Sequence, residues 1–454
     1  MSERTGSDGL LDIARRIAGA AGPGEQVEAY VIHSRDTEVQ AFDGDIESLS
    51  VAEVDGVGVR VIADGRQGYA YAGSLEPSVV AEVLAEARDN ASFGAPDEFY
   101  GLVEPSDFAG IEAPVLDLWR DELLSVPTEQ KVALALELEA AAKRDPRIRG
   151  VDSVGYGDAA VEAAIVSSVG VESFARRTVA SCSASVMAGE GTETQTGYGF
   201  SVGRTLGDLD IDAAATDAIE RTVRLLGARQ PNSRRLPVIL DPMVTRSLLG
   251  VIGSALGGES VLKGRSMFVD REGEAVAGPD ITLVDDPTLA DAYGASTHDS
   301  EGVPTRRTEL IGRGVLRGFL HNAYTARRAG TRTTASAVRG FKSTPGVGPR
   351  ALHLLPGTRT PEAIMASVPE ALYVQSVSGL HSGTNPVSGD FSVGATGLMV
   401  RGGAFAEPVR EITIASTLQR MLHDVGAIGA DLTWLPGGGA GLTLLVGEMT
   451  MSGA

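Results

Sequence analysis

The stretch from Thr37 to Ala72 decides the fold and reads TEVQAFDGDIESLSVAEVDGVGVRVIADGRQGYAYA. It consists of strand-like runs separated by Asp-Gly dipeptides, which supply the positive φ angles that tight hairpin turns need. These dipeptides are Asp43-Gly44, Asp55-Gly56 and Asp64-Gly65. We therefore predict an antiparallel meander of short strands at 37–42, 46–54, 56–63 and 68–72.

Helical patterns flank this meander. Apolar residues of Leu10–Ile17 lie on one helical face, and Val27–Val31 alternates as a half-buried strand does. Downstream, Pro77 suits the first turn of a second helix, where its missing N–H would be unpaired anyway. The segment 95–127 is rich in Pro, Asp and Glu, which predicts a linker or surface loop before a helix that begins at Thr128.

The middle of the chain alternates again between apolar and polar residues. A helix over Ala213–Leu226 follows and ends at Gly227, and Pro231–Pro237 has the composition of a domain boundary. The apolar strand Val238–Leu240 then opens the last region. The alternation predicts strands at 163–166, 171–175, 179–187 and 197–202.

A chain of 454 residues is too long for one ordinary core, so two or three domains are expected. The predicted fold class is α+β, with an N-terminal antiparallel meander and flanking helices, a middle β-rich region and a mixed α/β C-terminal domain. The predicted domains are 1–127, 128–230 and 231–454.

The chain carries 60 acidic and 39 basic residues, a formal charge of −21. Such a surface repels phosphate backbones and disfavours nucleic-acid binding, although acidity mostly serves solubility. With Cys182 as the single cysteine, an internal disulfide is impossible and a reducing compartment fits. No run approaches the ~18 apolar residues of a membrane span, and the polar N-terminus lacks a signal-peptide core. We expect a cytoplasmic protein that binds neither membrane nor nucleic acid.

Ordinary catalytic motifs are not found in the sequence. The nearest approach to a Gly-x-Ser-x-Gly elbow is Gly379–Gly383, but its serine stands one position too late. Gly56–Gly58 is interpreted as a bulge or turn and Pro436–Gly441 as a loop, since neither has the context of a nucleotide-binding loop. No two histidines lie within one helical turn, so no helix offers paired imidazoles, while a carboxylate-rich metal site stays open. The histidines are His33, His298, His321, His353, His381 and His423.

One segment, Ser296–Arg307, is chemically dense. It places an imidazole, two carboxylates and two guanidiniums around a Gly-Val-Pro turn. The plain interpretation is a charged surface loop with internal ion pairs, each worth little.

This segment also carries a resemblance to the TldD/PmbA family, whose members form two-subunit peptidases. The similarity covers most of the chain, is densest over 290–430 and rests on several motifs in the same order. The similar stretches are Val57–Val61, Ser296–Thr308, Gly314–Leu320, Tyr324–Arg327, Asn385–Ser392 and Pro408–Ala415.

In that family the catalytic subunit carries His-Glu-x-x-x-His on a helix early in its C-terminal domain and a cysteine near its C-terminus. The two His and the Cys hold zinc, and the Glu is the general base toward the metal-bound water. Here the equivalent stretch Ser247–Ser260 contains no His, and Leu432–Ala454 contains no Cys. Cys182 lies elsewhere, and Glu259 receives no role. The resemblance therefore implies a TldE (PmbA)-type subunit with no catalytic residue, metal ligand or cofactor of its own.

The implied function is that of a non-catalytic subunit in a heterodimeric zinc peptidase. A TldD-type partner would supply zinc and the general base, and unfolded peptides would bind in extended form by strand addition. An alternative is a stand-alone peptide-binding or scaffold protein that has lost peptidase activity. A third reading, the gyrase modulator that an older family name suggests, is disfavoured by the charge of −21.

On the first reading, some polar residues are candidates for contacts with the substrate cavity or the subunit interface. The plain alternative is that Asp299 pairs with Arg306 and that Asn385-Pro386 only sets a turn. The candidates are His298, Asp299, Glu301, Arg306, His381, Asn385 and Asp390.

Overall fold

A computed structural model describes residues 7–454; residues 1–6, part of the polar N-terminus considered above, lie outside that range. The first half of the chain alternates long strands with helices. Its elements are α1 (Ser7–Ala18), β1 (Glu25–Phe42), β2 (Asp45–Ala63), β3 (Arg66–Ala72), α2 (Pro77–Phe93), α3 (Asp121–Leu124), α4 (Thr128–Ala142), β4 (Ile148–Ser167), β5 (Glu172–Ala188), β6 (Gln195–Gly203) and α5 (Ile211–Val223).

The six strands of this half form one antiparallel sheet in the order β3-β2-β1-β4-β5-β6. The predicted meander is confirmed, and Asp43-Gly44 and Asp64-Gly65 are its turns, with positive φ at all four residues. Because β4 pairs with β1, the sheet continues across the proposed limit at 127/128. The three domain limits stay a prediction.

The prediction of a turn at Asp55-Gly56 is wrong, because β2 runs through it without a bulge. His33 faces Asp55 in the ladder, and their side chains meet at 2.9 Å between Nδ1 and Oδ1. Gly56 has no positive φ. A Cβ there would stand 2.7 Å from the ring of Phe341, so this glycine makes room for an aromatic ring. The Gly56–Gly58 run is likewise a regular strand.

The predicted strands of the middle region are pieces of longer ones. The predicted segments 171–175 and 179–187 merge into the single strand β5, which begins at Glu172, and β4 begins at Ile148, well before the predicted 163. Segment 95–127 is mostly irregular, as expected. It is also anchored, since Leu102 and Leu118 are buried.

All four long helices of this half cover the same face of the sheet. Helices α1 and α2 pack on alternate residues of β1 and β2 such as Val27, Val31 and Val59. Helices α4 and α5 pack on the same face of the sheet, over residues of β4 and β5. Each fully buried valine contributes about 1.5–3 kcal/mol relative to exposure. The opposite face, which carries Glu28 and Tyr30, is left to meet the second half of the chain.

The second half is richer in short strands and loops. Its elements are β7 (Arg234–Leu240), α6 (Pro242–Ala255), α7 (Gly258–Leu262), β8 (Leu283–Asp285), β9 (Thr308–Gly312), β10 (Val315–Leu316), α8 (Ala323–Ala329), β11 (Ala337–Val338), β12 (Gly346–Val347), β13 (Leu352–Leu354), α9 (Pro361–Ala366), β14 (Glu370–Ser378), α10 (Leu380–Gly383), β15 (Asp390–Arg401), β16 (Ala404–Thr417), α11 (Leu418–His423), β17 (Val425–Ile428), β18 (Thr433–Trp434), β19 (Ala440–Gly441) and β20 (Leu444–Ser452).

A six-stranded sheet in the order β16-β15-β14-β7-β20-β17 organises this half. An additional β16–β20 pairing curls it into a barrel-like form. Helix α6 packs on it through residues such as Leu248 and Ile252, which belong to the largest apolar core. The predicted α+β class is confirmed. No helix among residues 7–454 combines the length and apolar character needed to cross a bilayer.

Candidate functional site

The dense loop Ser296–Arg307 is organised by the carboxylate of Asp299. Its Oδ1 accepts the backbone N–H groups of Glu301 and Val303 at 2.9 and 3.0 Å, and its Oδ2 accepts that of Ala337 at 3.1 Å. Asp299 is 3% exposed. The loop is therefore not a solvated surface loop: its turn is built around a buried acid.

A buried ion cluster joins this loop to the N-terminal sheet. Arg60 Nη2 lies 3.1 Å from Glu301 Oε1 and 2.9 Å from Glu28 Oε2. Arg339 Nη2 lies 2.7 Å from the other oxygen of Glu28. The second oxygen of Glu301 accepts the N–H of Ala323, the first residue of α8, at 2.8 Å. With two acids and two guanidiniums, the quartet Glu28–Arg60–Glu301–Arg339 is internally neutral.

Burial and neighbouring charges act differently on the acids of this region. Burial alone would raise the pKa of Glu28, but the guanidiniums of Arg339 and Arg60 outweigh it and hold that pKa below its ordinary value. Burial and the charge of Glu301 together raise the pKa of Asp299 to about 7. Asp299 is thus the acid of this loop that can change protonation near neutral pH.

His298 and Arg306 take places apart from this quartet. The ring of His298 is part-buried, with Nδ1 3.0 Å from Thr297 Oγ1, and burial lowers its pKa below the ordinary value. The alternative in which Asp299 pairs with Arg306 is wrong in its geometry. Arg306 donates to the carbonyl of Thr333, while Asp299 is occupied by backbone N–H groups.

The other three candidates lie on a separate surface loop beside β15. His381 is exposed on the short helix α10. Asn385 Oδ1 accepts the N–H of Val387 at 2.9 Å, which is the turn-setting role of the plain alternative. Asp390 is exposed and accepts the hydroxyl of Ser388 at 2.6 Å. The structure therefore brings together His298, Asp299, Glu301 and Arg306 in one loop and places His381, Asn385 and Asp390 in another.

The helix that the family resemblance assigns to zinc binding is α6. It faces the glycine loop of the C-terminal stretch, where Gly437, Gly438 and Gly439 all have positive φ. Arg246 of α6 donates to this loop, with Nη2 3.0 Å from the Gly437 carbonyl and Nε 3.2 Å from that of Gly438. Leu249 also lines the small cavity of about 120 Å³ between helix and loop.

These residues do not fit a zinc ion. Zinc sites are built from thiolates, imidazoles and carboxylates, whereas this cavity is lined by two arginines, two leucines, a proline and glycines. Glu259 is engaged elsewhere, 2.5 Å from Lys263 on the exposed side of α7. Within residues 7–454 no group of three or more His, Cys, Asp or Glu side chains could hold a metal ion.

Glu28, Arg339 and Arg350 are not predicted as site residues from the sequence, and Arg60 enters only as part of the similar stretch Val57–Val61. One signal was available: Arg60 interrupts the apolar run Val57–Ala63, and Glu28 is a charged residue in the alternating stretch Val27–Val31. The hairpin turn at Asp43-Gly44 places these two residues opposite each other in the ladder. Opposite charges at paired inward positions indicate a buried pair. No local signal connects them to Arg339.

Comparison with known families gives three consecutive matches. They are the PmbA/TldA metallopeptidase domain 1 over residues 27–91, the central domain over 121–226 and the C-terminal domain over 233–453. The metalloprotease PmbA of Escherichia coli O157:H7 is 27% identical over 417 residues, which cover 91% of this chain and 89% of that protein. A metalloprotease of Methanothermobacter thermautotrophicus is 26% identical over 93% of this chain and 90% of its own length.

Solved structures show the same fold over nearly the full length. A putative modulator of DNA gyrase from Bacteroides thetaiotaomicron superposes with a TM-score of 0.86 at 26% identity, covering 98% of this chain and 97% of that one. TldE from Thermococcus kodakarensis superposes with a TM-score of 0.88 at 23% identity, covering 98% and 99%. The likeness to the second structure is one of fold alone.

Proposed function

Because the chain belongs to the PmbA/TldD family of metallopeptidase-like proteins, we propose that it is the zinc-free subunit of a heterodimeric peptidase. A TldD-type partner supplies the zinc ion and the general base. The present chain completes the cavity in which unfolded peptides are cut, and it does not hydrolyse peptides alone.

The observation that carries this proposal is the contact between α6 and the glycine loop. A cationic Arg246 ties the two segments together at the place where the resemblance expects zinc ligands. A guanidinium cannot coordinate a metal ion, and its charge repels one. The neighbouring lining residues Leu249 and Gly250 have no side-chain atom that could bind a metal ion, and Arg350 adds a second guanidinium. These features support loss of the metal site in this chain while the surrounding fold persists.

The edge of β2 supports binding of an extended peptide. Strand β3 pairs only with residues 57–63 of β2, so within the described chain residues 45–56 are paired on one side alone. This free edge is exposed and carries Leu49 and Val51, which are 47% and 54% exposed. An unpaired edge is a template for strand addition, in which main-chain hydrogen bonds give affinity with little sequence preference. The same edge is available to the partner subunit.

Co-expression with a TldD-type relative that carries His-Glu-x-x-x-His tests the proposal. We expect a stable complex in size-exclusion chromatography, and cleavage of an unfolded peptide by the complex and not by this chain alone. A complex in which the partner's general-base Glu is replaced by Gln should assemble and stay inactive. Peptide cleavage by the isolated chain contradicts the proposal, and indifference to every such partner favours the stand-alone binding protein.

A further inference from the structure

A cavity of about 330 Å³ lies between the helix-free face of the N-terminal sheet and the loop that contains Asp299. Its floor includes Tyr30, Val161 and Ile165 from β1 and β4, and its roof includes His298. This volume falls in the range of small-ligand sites. Arg350 also lines the small cavity between α6 and the glycine loop, so the two cavities are neighbours.

Four arginines line this cavity: Arg176, Arg177, Arg339 and Arg350. Arg176 stacks over the ring of Trp119, and the hydrogen bonding of the other three is incomplete. Arg350 donates to Ser300 Oγ and to the Ala337 carbonyl, both at 2.9 Å, but its buried Nε has no hydrogen-bond partner among residues 7–454. The side chain of Arg339 is 0% exposed and binds Glu28, yet within the described part of the chain its buried Nη1 has no hydrogen-bond partner. Buried donors of this kind are rare in native proteins and call for a ligand or water. The cavity thus contains donors that the protein itself does not satisfy.

Arg177 is the most unusual of the three. Its side chain makes no hydrogen bond or ion pair with any residue from 7 to 454. Arg177 is exposed as a whole residue, but desolvation where it lines the cavity and the nearby charge of Arg350 both lower its pKa. Desolvation, and then the charge of Arg177, lower the pKa of Arg204. Like charges held together without an intervening acid destabilise a fold. An anion between Arg177 and Arg350 removes that repulsion.

The acids near the cavity are already committed. Both oxygens of Asp299 accept backbone N–H groups. Glu28 is bound by Arg60 and Arg339. The cavity is therefore locally cationic in a chain whose formal charge is −21. Concentration of positive charge in one concave site of an acidic protein focuses the field on an anionic ligand.

We propose that this cavity binds the carboxylate of a peptide, with Arg177 and Arg350 as its guanidinium partners and Arg339 as a supporting donor. Guanidiniums and carboxylates match in a bidentate geometry. Apolar side chains such as Val161, Ile165 and Phe174 share the walls. They suit the hydrocarbon part of a peptide better than a fully hydrated inorganic anion. The choice of a peptide as ligand rests on the proposed function, whereas the anion site stands on this chain alone.

Titration calorimetry of the isolated full-length chain tests the inference. The probes are an unfolded Gly-Ala-Gly-Ala-Leu peptide with a free C-terminal carboxylate, the same peptide as an amide, and an amide with an internal Glu. We expect the free acid to bind at least about tenfold more tightly than the amide, as the loss of a charged hydrogen-bonded pair predicts. If the amide with an internal Glu binds tightly, the carboxylate site is supported and the carboxylate that it binds is that of a side chain.

Arg177→Ala should abolish the preference for the free acid. Because Arg177 has no internal partner, this variant should melt no lower than the wild type, and Arg177→Lys should retain part of the preference. The control is Arg265→Ala, which removes an exposed arginine outside the cavity and should bind as the wild type does. Equal affinity for acid and amide, unchanged binding in Arg177→Ala, or equally strong binding of inorganic phosphate overturns the inference. None of these results bears on assembly with a zinc-binding partner, so the two proposals fail separately.

Discussion

Arg60 and Glu301 form a buried ion pair of 3.1 Å although 241 residues separate them in the chain. Arg60 belongs to the N-terminal sheet, and Glu301 belongs to the loop that the family resemblance picks out. With Glu28 and Arg339 the pair forms an internally neutral quartet at the contact between the two halves of the protein. The position of the loop therefore depends on the sheet.

Replacing Arg60 by Met should destabilise the protein strongly. Two carboxylates would remain buried without their shared partner, and breaking a buried ion pair on one side costs about 3–5 kcal/mol. Thermal melting of the purified variant measures the effect. The control is Arg15→Ala, which removes an exposed pair with Glu172 and should leave the melting temperature nearly unchanged. Similar melting of the two variants would mean that the quartet does not hold the halves together.

The raised pKa of Asp299 predicts a pH-dependent contribution to stability. Between pH of about 4 and about 7 the folded protein keeps a proton on Asp299 that the unfolded chain has released. Stability from this group is therefore present at low pH and is lost as pH rises toward 7, by up to about 1.4 kcal/mol per pH unit. Above pH 7 the contribution levels off.

Comparison with Asp299→Asn isolates this effect. Burial lowers the pKa values of His298, His321 and His353, so these groups act in the opposite direction over the same range. Their contribution is common to both proteins. The free energy of unfolding, measured in urea at pH 5, 6 and 7, should fall in the wild type relative to the variant as pH rises. A difference that is constant across this range contradicts the assignment.

Gly56→Ala should destabilise the fold by about 1–3 kcal/mol, the usual cost of overpacking. The added methyl group would stand 2.7 Å from the ring of Phe341. A second substitution, Phe341→Leu, should restore part of the lost stability because it removes the ring. Gly207→Ala is the matched control, since a Cβ there meets nothing within 4 Å. If Gly56→Ala melts like this control, β2 and Phe341 are not packed as described.

Asp390→Ala and Arg306→Ala are expected to lower the peptidase activity of the complex without removing zinc from the partner. Asp390 is exposed where it can touch a partner or substrate, whereas Arg306 supports the dense loop through Thr333. A loss of about tenfold matches one charged hydrogen bond. Activity per zinc ion checks this expectation, with Arg265→Ala as control. Wild-type turnover in both variants removes these residues from the candidate site.

Local signals predicted much of the N-terminal half. Proline placed the start of α2 at Pro77, and Asp-Gly dipeptides placed two hairpin turns. The same rule failed at Asp55-Gly56, because a glycine selected for contact with Phe341 looks identical in sequence to one selected for a turn. The start of β4 was missed because Gly150, Gly155 and Gly157 interrupt its alternation.

The candidate site was only partly predictable for a different reason. The loop residues are close in sequence and were found together, but Glu28 and Arg339 meet across 311 residues. Such contacts depend on how the two halves pack, which periodicity does not report. Arg177 was missed because its role depends on having no partner, and a missing partner is visible only in three dimensions.

Metal content tests the central claim most directly. Elemental analysis of the purified complex with a TldD-type partner should give about one zinc ion per pair of chains, as one three-ligand catalytic site predicts. The isolated present chain, loaded with zinc and desalted in the same way, should retain almost none. Stoichiometric, tightly held zinc in the isolated chain, together with peptide cleavage, would contradict the account.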